Sequence, residues 1–389
     1  MSSRRLLELQ SDRIEMVMAT HKARVRVIGG VVTPRSVQFH LAPDLGTKIN
    51  KIQALTDELA LALGVPNVRV SRQGGNVLLE IPRDDAMPVK LLALMAGIVK
   101  VGAQKSQSPQ SSCLPAETAV LGLCYDGAPL LMRLSSPDVA HVLISGTTGS
   151  GKTTLCQTMI LNLAMTHRRS QLQFVLVDPK RRAFAPFAPL PHLLRPIIGE
   201  ADEAASALGE LVQLMERRAK NRIYSVDDKK QMGKPVPPDL VTPRIVVVLD
   251  ELADLMQVGG QALAEPLARL VQRGSETGIH IIACTQKPSA QVMGTLIRSN
   301  FPARLVGKVV SPEDARVASG IGGTGAEKLS GRGDFIAVAA GQVLRFQAAY
   351  VSSAEMEQVV AQFGSVPRRG DVMKMRPSLL RQAAQIVAC

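Results

Sequence analysis

His141-Val142-Leu143-Ile144-Ser145-Gly146-Thr147-Thr148-Gly149-Ser150-Gly151-Lys152-Thr153-Thr154 decides the fold of this 389-residue chain. An apolar run of strand type enters a glycine-rich turn, and a helix-compatible run from Thr154 to Ala164 leaves it. Residues 146–153 match the GxxxxGK[ST] pattern in the strand–turn–helix setting that the pattern requires. The glycines let successive backbone N–H groups curl around an anion, and the positive N-terminal end of the following helix adds to the attraction. On this reading Gly146 to Thr154 cradle a nucleotide, Lys152 reaches its β- and γ-phosphates, and Thr153 ligates Mg2+ through its hydroxyl.

Outward from this loop, apolar strands alternate with amphipathic helices. The strands are read at His141–Ser145, Phe174–Asp178, Ile245–Asp250, Ile279–Thr285, Arg304–Val309 and Phe335–Val338. Several are almost wholly apolar, as strands covered on both faces of a parallel sheet should be. Helices are read at Ala204–Arg218 and Gln261–Arg273, each with leucines on one stripe. The pattern is that of an α/β fold with a doubly wound, mostly parallel sheet.

The strand Arg244-Ile245-Val246-Val247-Val248-Leu249 ends in Asp250-Glu251. Two carboxylates at the end of a buried strand, paired with a phosphate loop, fit the acidic half of a nucleotide-hydrolysing site. Asp250 would hold Mg2+ through water, and Glu251 would orient and deprotonate the attacking water. Asp178-Pro179-Lys180 and Gln286 stand at other strand ends, where ligands bind in such sheets. Gln286 is placed to sense the γ-phosphate, although a plain loop residue is an equal reading from pattern alone.

The N-terminal part is organised differently. Residues 1–23 read as a polar, partly helical leader, 24–100 as a small α+β domain, and 101–117 as a Ser/Gln/Pro-rich linker. In the small domain, Arg24–Ile28 is broken by Gly29-Gly30, Val37–Leu41 follows, and one helix carries Ile49, Ile52, Leu55, Leu59 and Leu63. Val68–Val70 and Val77–Ile81 close it. A hairpin around Asp126-Gly127 opens the large domain, read over 118–364, and a basic tail occupies 365–389.

Lys+Arg outnumber Asp+Glu by 46 to 33, a formal charge of +13, which favours a polyanionic partner, nucleic acid first and an anionic membrane surface second. Aromatics make up only 3%, with no Trp, which weakens any scheme based on stacking single-stranded bases. Five scattered cysteines without a CxxC pair argue against a disulfide framework or zinc cluster and favour a reducing cytosol. The longest apolar run, Leu91 to Val99, is far short of the ~20 residues that cross a bilayer. His192 lacks a metal-spaced partner and reads as a packing residue. Arg-Gly-Asp occurs at 332–334 and 369–371, where an adhesion role does not suit the rest of the chain.

GTTGSGKTT, LVDPK, LPHLLRPII, LMERR, IVVVLDELADLM, GIHIIACTQKPS, NFPARL and GTGAEKLSGRGDF occur in this order. Together they resemble the motor of the FtsK/SpoIIIE family of double-stranded DNA translocases, from about Thr118 to Phe363, and residues 24–84 are similar to the small α domain that precedes that motor. The resemblance implies a RecA-like core that forms a ring, a hexamer in the family, around duplex DNA and moves along it with ATP and Mg2+ as cofactors. It puts Lys152 and Thr153 on ATP–Mg2+, Asp250 and Glu251 on metal and water, and Lys287 and Arg316 on the DNA backbone, with Gly322 to Ser330 near the same channel. An arginine of the family, a candidate finger acting on the neighbouring subunit, corresponds here to Ser275; Arg273 or a residue elsewhere takes that part. A pore position often basic in the family is Pro312 here.

These readings predict an ATPase that translocates along duplex DNA with little sequence specificity. Without membrane spans or a winged-helix domain in the sequence, a cytoplasmic protein lacking directional sequence recognition is expected. A packaging or conjugative pump and an ATP-dependent DNA-binding switch remain the alternatives.

Overall fold

The computed structural model describes residues 3–33, 36–73, 76–83, 87–105, 114–221, 224–225, 241–286 and 299–364. They fall into two units, Met1–Pro88 with Tyr125–Gly127, and Val89–Cys124 with Ala128–Cys389.

In the small unit, helix α1 (Ser3–Thr20) precedes strands β1 (Val25–Val32) and β2 (Ser36–Pro43), helices α2 (Ile49–Gln53) and α3 (Thr56–Leu63), and strands β3 (Arg69–Gln73) and β4 (Asn76–Pro82). The strands form an antiparallel sheet in the order β1-β2-β4-β3. The segment read as a leader is part of this unit's core: Ile14 and Met18 of α1 are fully buried beside Phe39, Leu59 and Leu79. Leu7, Ile14 and Met18 recur at helical spacing, which places them on one stripe of an otherwise polar helix. Two further expectations change. Gly29-Gly30 do not end β1, which continues past a bulge between Val27 and Gly29. The helix read across residues 49–63 is two helices. Thr56 Oγ1 donates to Gln53 O at 3.2 Å, occupying a carbonyl that a continuing helix would use.

The large unit begins at Val89. The sequence reading carried the small domain to residue 100, but strand β5 (Val89–Lys90) pairs in parallel with Ala349–Tyr350. Helix α4 (Leu91–Lys105) then buries Leu91 and Met95 in the large core. It reaches into the segment read as a linker, of which 106–113 lies outside the described residues. Strands β6 (Thr118–Cys124) and β7 (Pro129–Arg133) form the expected hairpin. The β/α alternation follows: β8 (Val142–Ser145), α5 (Lys152–Thr166), β9 (Leu172–Val177), α6 (Ala201–Asn221), the short parallel pair β10 (Tyr224–Ser225) and β11 (Val241–Thr242), β12 (Arg244–Leu249), α7 (Leu252–Arg273), β13 (Ile279–Thr285), β14 (Ala303–Val306) and α8 (Pro312–Ser319). Strands β15 (Asp334–Ala339) and β16 (Gln342–Tyr350) and helix α9 (Ser353–Gly364) complete it.

The main sheet runs β7-β6-β16-β15-β14-β8-β13-β12-β9. Strands β14, β8, β13, β12 and β9 are mutually parallel, and the side from β15 to β7 is antiparallel. The phosphate-loop strand β8 thus lies inside the parallel region, between β13 and β14.

Two faces explain the near-continuous apolar strands. Val142, Ile144, Phe174, Leu176, Val246 and Val248 pack with Leu155 and Met159 of α5 on one side. Their neighbours in sequence, Leu143, Val175, Val247 and Ile281, pack with Leu208 of α6 and Leu267 of α7 on the other. Period-two alternation is present, but both phases are apolar because both faces are covered. Helix α5 is sandwiched, so even its polar residues find internal partners. Asn162 exchanges hydrogen bonds with the backbone of Val120 (3.0 and 3.1 Å), and Thr158 donates to Ala349 O at 2.9 Å.

Some charged groups are internal. Arg218 is buried and donates to Thr277 O and Pro243 O, each at 2.9 Å. Burial, with the cation of Arg244 nearby, lowers its pKa to about 10. Arg244 itself pairs with buried Glu117. Among the described residues, no helix is long and apolar enough to cross a membrane.

Candidate nucleotide site

All parallel strands of a sheet end on one edge, and side chains just beyond those ends converge there. Here the edge collects the loop 146–151 after β8, Asp178 after β9, Asp250-Glu251 after β12, Gln286 after β13 and Gly307-Lys308 after β14. Ser145 sits level with Thr285 on one neighbour and Val306 on the other, so these termini are in register.

Glycine is needed both within the loop and beside it. Gly151, at the N-cap of α5, has φ +103°, and a Cβ there would stand 2.9 Å from Gly333 N. Gly307 of the neighbouring strand end lies so close that its Cβ would be 2.8 Å from Ser150 Cβ. The loop is therefore laced to adjacent backbone: Thr147 N donates to Lys308 O (2.8 Å), Arg332 N to Gly149 O (3.0 Å) and Gly333 N to Ser150 O (2.8 Å).

Lys152 is buried and donates to Gly146 O (2.8 Å) and Thr147 O (3.1 Å). Burial lowers its pKa below the ordinary lysine value, opposed by Cys284, Glu251 and Asp250. Three polar side chains then form a chain across the edge. Thr148 Oγ1 donates to Gln286 Oε1 at 3.1 Å, and Gln286 Nε2 donates to Glu251 Oε1 at 2.8 Å. The sequence reading of Gln286 left a plain loop residue as an equal possibility; its side chain connects the loop to the carboxylate.

Glu251 adopts a left-handed backbone (φ +49°, ψ +55°) at the start of α7. A non-glycine residue held there stores strain on the order of 1 kcal/mol, a feature that concentrates at functional sites. Asp250 is buried with Oδ1 unpartnered, as is Oδ1 of buried Asp178, whose Oδ2 accepts from Phe184 N at 3.0 Å. Burial first, then the negative charges of Glu251 and Asp178, push the Asp250 pKa up to about 6, while Lys152 and Lys180 oppose the shift. A buried carboxylate with an unused oxygen beside two other acids is short of positive charge, and such an oxygen is the ligand type of a hard divalent cation, although the described acids do not by themselves form a three-residue metal cluster.

The structure thus brings together residues 146–154, Asp178, Asp250, Glu251 and Gln286. It does not bring Arg273 to them: Arg273 ends α7, and the next residue, Gly274, bonds to Ile279 at the start of β13, on the opposite edge of the sheet. Arg316 is exposed on α8 and pairs with Glu313 at 2.8 Å. Pro312 is the first residue of that helix, behind the cap Ser311, whose Oγ accepts from Asp314 N. Lys287 and the basic tail lie outside the described residues. His192 is a packing residue: its Nε2 meets His167 O at 2.9 Å and its ring sits edge-on to Phe363. Sequence reasoning missed the contacts of Gly307, Lys308 and Arg332 with the loop, and only for Arg332, an arginine between glycines, was there any trace in the sequence.

The family model described as FtsK/SpoIIIE family matches residues 116–290, and that described as FtsK alpha domain matches residues 2–83. The chain is 32% identical over 408 residues to DNA translocase SftA of Bacillus subtilis, covering 98% of this chain and 41% of that protein. It is 35% identical to DNA translocase FtsK of Lactiplantibacillus plantarum, covering 91% of this chain and 44% of that protein. It therefore spans less than half the length of these curated relatives. Among solved structures, the cytoplasmic domain of the Thermomonospora curvata type VII secretion ATPase EccC superposes with a TM-score of 0.60 at 26% identity, covering 73% of this chain and 35% of that one. The conjugation coupling protein TcpA, at 17% identity, shares the fold with a TM-score of 0.58 over 91% of this chain and 99% of its own.

Proposed function

The chain belongs to the FtsK/SpoIIIE family, and from that premise we propose that it hydrolyses ATP to move along double-stranded DNA as a ring of identical subunits. The observation that carries the chemistry is the hydrogen-bonded line Thr148–Gln286–Glu251, which ties the phosphate loop to the carboxylate that would activate water. A site built only to hold nucleotide has no need of a buried carboxylate aimed by a glutamine, and this favours a motor over a binding switch.

Each residue's part follows from its place. The loop N–H groups and Lys152 take the phosphates, and Lys152 exchanges its present carbonyl partners for phosphate oxygens. Thr153 and Asp250 are the residues that would hold Mg2+. Bound there, the ion would neutralise charge on phosphate oxygens. Glu251 accepts the proton of the attacking water, and Gln286 fixes the carboxylate while sensing the loop through Thr148. Arg273 ends α7 at the opposite edge of the sheet from its own loop, so a part in catalysis for it would be played at a neighbouring subunit's site.

Several facts support DNA as the track. The named relatives are DNA translocases, and the chain carries +13. Contacts with phosphates give binding that is largely independent of sequence and falls steeply with salt. The Arg316–Glu313 pair is exposed and screened by solvent, so Arg316 can change partners for a DNA phosphate. Arg316→Ala and Lys287→Ala are expected to reduce DNA-stimulated turnover several-fold more than basal turnover. Equal loss of both rates would remove these residues from the DNA path.

A triplex-displacement assay tests the motor directly. The chain with ATP should strip a third strand from duplex DNA, and Lys152→Ala should not. A parent protein that hydrolyses ATP on DNA without displacing the strand would return the switch reading. A packaging or conjugative pump shares this chemistry, and the fold shared with the conjugation coupling protein keeps it as the second reading.

A further inference from the structure

The tripeptide Arg332-Gly333-Asp334 is bound to the phosphate loop through its backbone, while the side chain of Arg332 has no assigned part in the site. Gly331, Arg332 and Gly333 have φ of +74°, +50° and +89°. Glycine occupies such a conformation freely, whereas arginine there costs on the order of 1 kcal/mol. The segment is held from several sides. Arg332 N donates to Gly149 O (3.0 Å), Gln347 Nε2 to Arg332 O (3.1 Å), and Ala348 N to Gly333 O (2.7 Å). Asp334 is buried and gripped at both oxygens by Arg345 (2.9 and 2.7 Å).

A second cation stands beside it. Lys308 O accepts from Thr147 N (2.8 Å) and Thr147 Oγ1 (3.1 Å). Lys308 Cδ would be 3.9 Å from a Cβ on Gly331, so its stem lies next to the Arg332 segment. Both Lys308 and Arg332 are exposed. Their backbones bond to two different residues of the loop, from the β14–β15 side, while Asp250 and Glu251 approach from the β12 side.

We infer that Arg332, with Lys308 beside it, forms a second basic wall of the nucleotide site and binds the phosphate oxygens of ATP on the side away from Glu251. This rests on reading the loop as a nucleotide site. A guanidinium on a fixed backbone presents a planar fork suited to two phosphate oxygens at once, and Lys308 adds a point charge. The left-handed arginine is then explained: glycine would fit the turn better and would bind nothing.

Arg332→Gly separates binding from architecture, because it removes the side chain while relieving the backbone. The full chain is titrated with a fluorescent ATP analogue and with the corresponding AMP analogue in Mg2+ buffer, and its thermal midpoint is measured. The expected result is a Kd for the ATP analogue raised about 10- to 100-fold, the range of a charge-assisted pair. The AMP analogue should change less, the midpoint should stay or rise, Arg332→Lys should recover part of the affinity, and Lys308→Ala should lose less. Parent-like affinity in Arg332→Gly overturns the wall. So does a fallen midpoint with normal affinity, which would make Arg332 a structural brace. Lys152→Ala is the control for the underlying site. If it binds like the parent, or if the parent binds nothing, the nucleotide site itself fails and the wall with it; if Lys152→Ala is impaired and Arg332→Gly is not, the wall alone fails.

Discussion

Glu251→Gln is expected to lower ATP turnover by about 10²- to 10⁴-fold, the contribution of a positioned general base, or roughly 3–5 kcal/mol of barrier. Nucleotide affinity should stay within about threefold of the parent. The geometry makes this a clean substitution. Gln286 points its amide nitrogen at Glu251 Oε1 (2.8 Å), and a glutamine at 251 still offers a carbonyl oxygen to that donor. The bond from Thr148 to Gln286 (3.1 Å) is also kept. The turn at residue 251 is set by β12 before it and α7 after it. Only the proton acceptor is lost. Phosphate release and analogue titration on the same preparation check the two halves of the expectation. Turnover within tenfold of the parent would mean that water is activated by another group.

The parts of this site that could be read in sequence are those that are local. The phosphate loop spans consecutive residues between a strand and a helix, and Asp250-Glu251 directly follow five buried apolar residues. The parallel strands were legible to within a few residues because covered strands show an unbroken apolar run. Strand β16 was not. It returns from β15 through Ala340-Gly341, both left-handed (φ +50° and +72°), a two-residue turn without the usual Asn or Asp signal. Its burial also covers only part of its length, with Gln342–Leu344 exposed. Helix α1 was missed as a core element for a similar reason: its stripe is thin, and polar residues dominate the average. Lys308 and Arg332 lay out of reach of any local pattern. They meet the loop through backbone hydrogen bonds from segments more than 150 residues downstream in the chain. Such contacts leave no periodicity, only an arginine between glycines.

Acidification from pH 7 to 4.5 is expected to cost the large unit up to about 5 kcal/mol through two histidines at the far edge of the sheet. His141 Nδ1 accepts from Ile281 N at 3.0 Å, so its ring carries a single proton on Nε2, which has no hydrogen-bond partner. A second proton would set N–H against N–H and place a cation in the core. His280 donates from Nδ1 to Ala140 O at 2.9 Å, and its Nε2 is likewise buried without a partner. Burial lowers the His141 pKa to about 3, aided by His280. Burial also lowers His280 to about 4, aided by the Arg244 cation and opposed by the bond to Ala140. In the unfolded chain both titrate near 6.5. Above that pH neither state is charged and stability is complete. Below it the unfolded chain takes up protons that the native core refuses, and stability falls until the folded pKa values are reached. At pH 4.5 each histidine contributes roughly 2–3 kcal/mol of loss, at 1.36 kcal/mol per pH unit over two units. The sum is large beside a total stability of roughly 5–15 kcal/mol. The double variant His141→Asn/His280→Asn keeps an acceptor for Ile281 N and a donor for Ala140 O but cannot take up these protons. Urea midpoints at pH 7 and 4.5 should drop steeply in the parent and far less in the variant. Every other carboxylate and histidine is common to both proteins, so equal drops would place the acid sensitivity elsewhere in the chain.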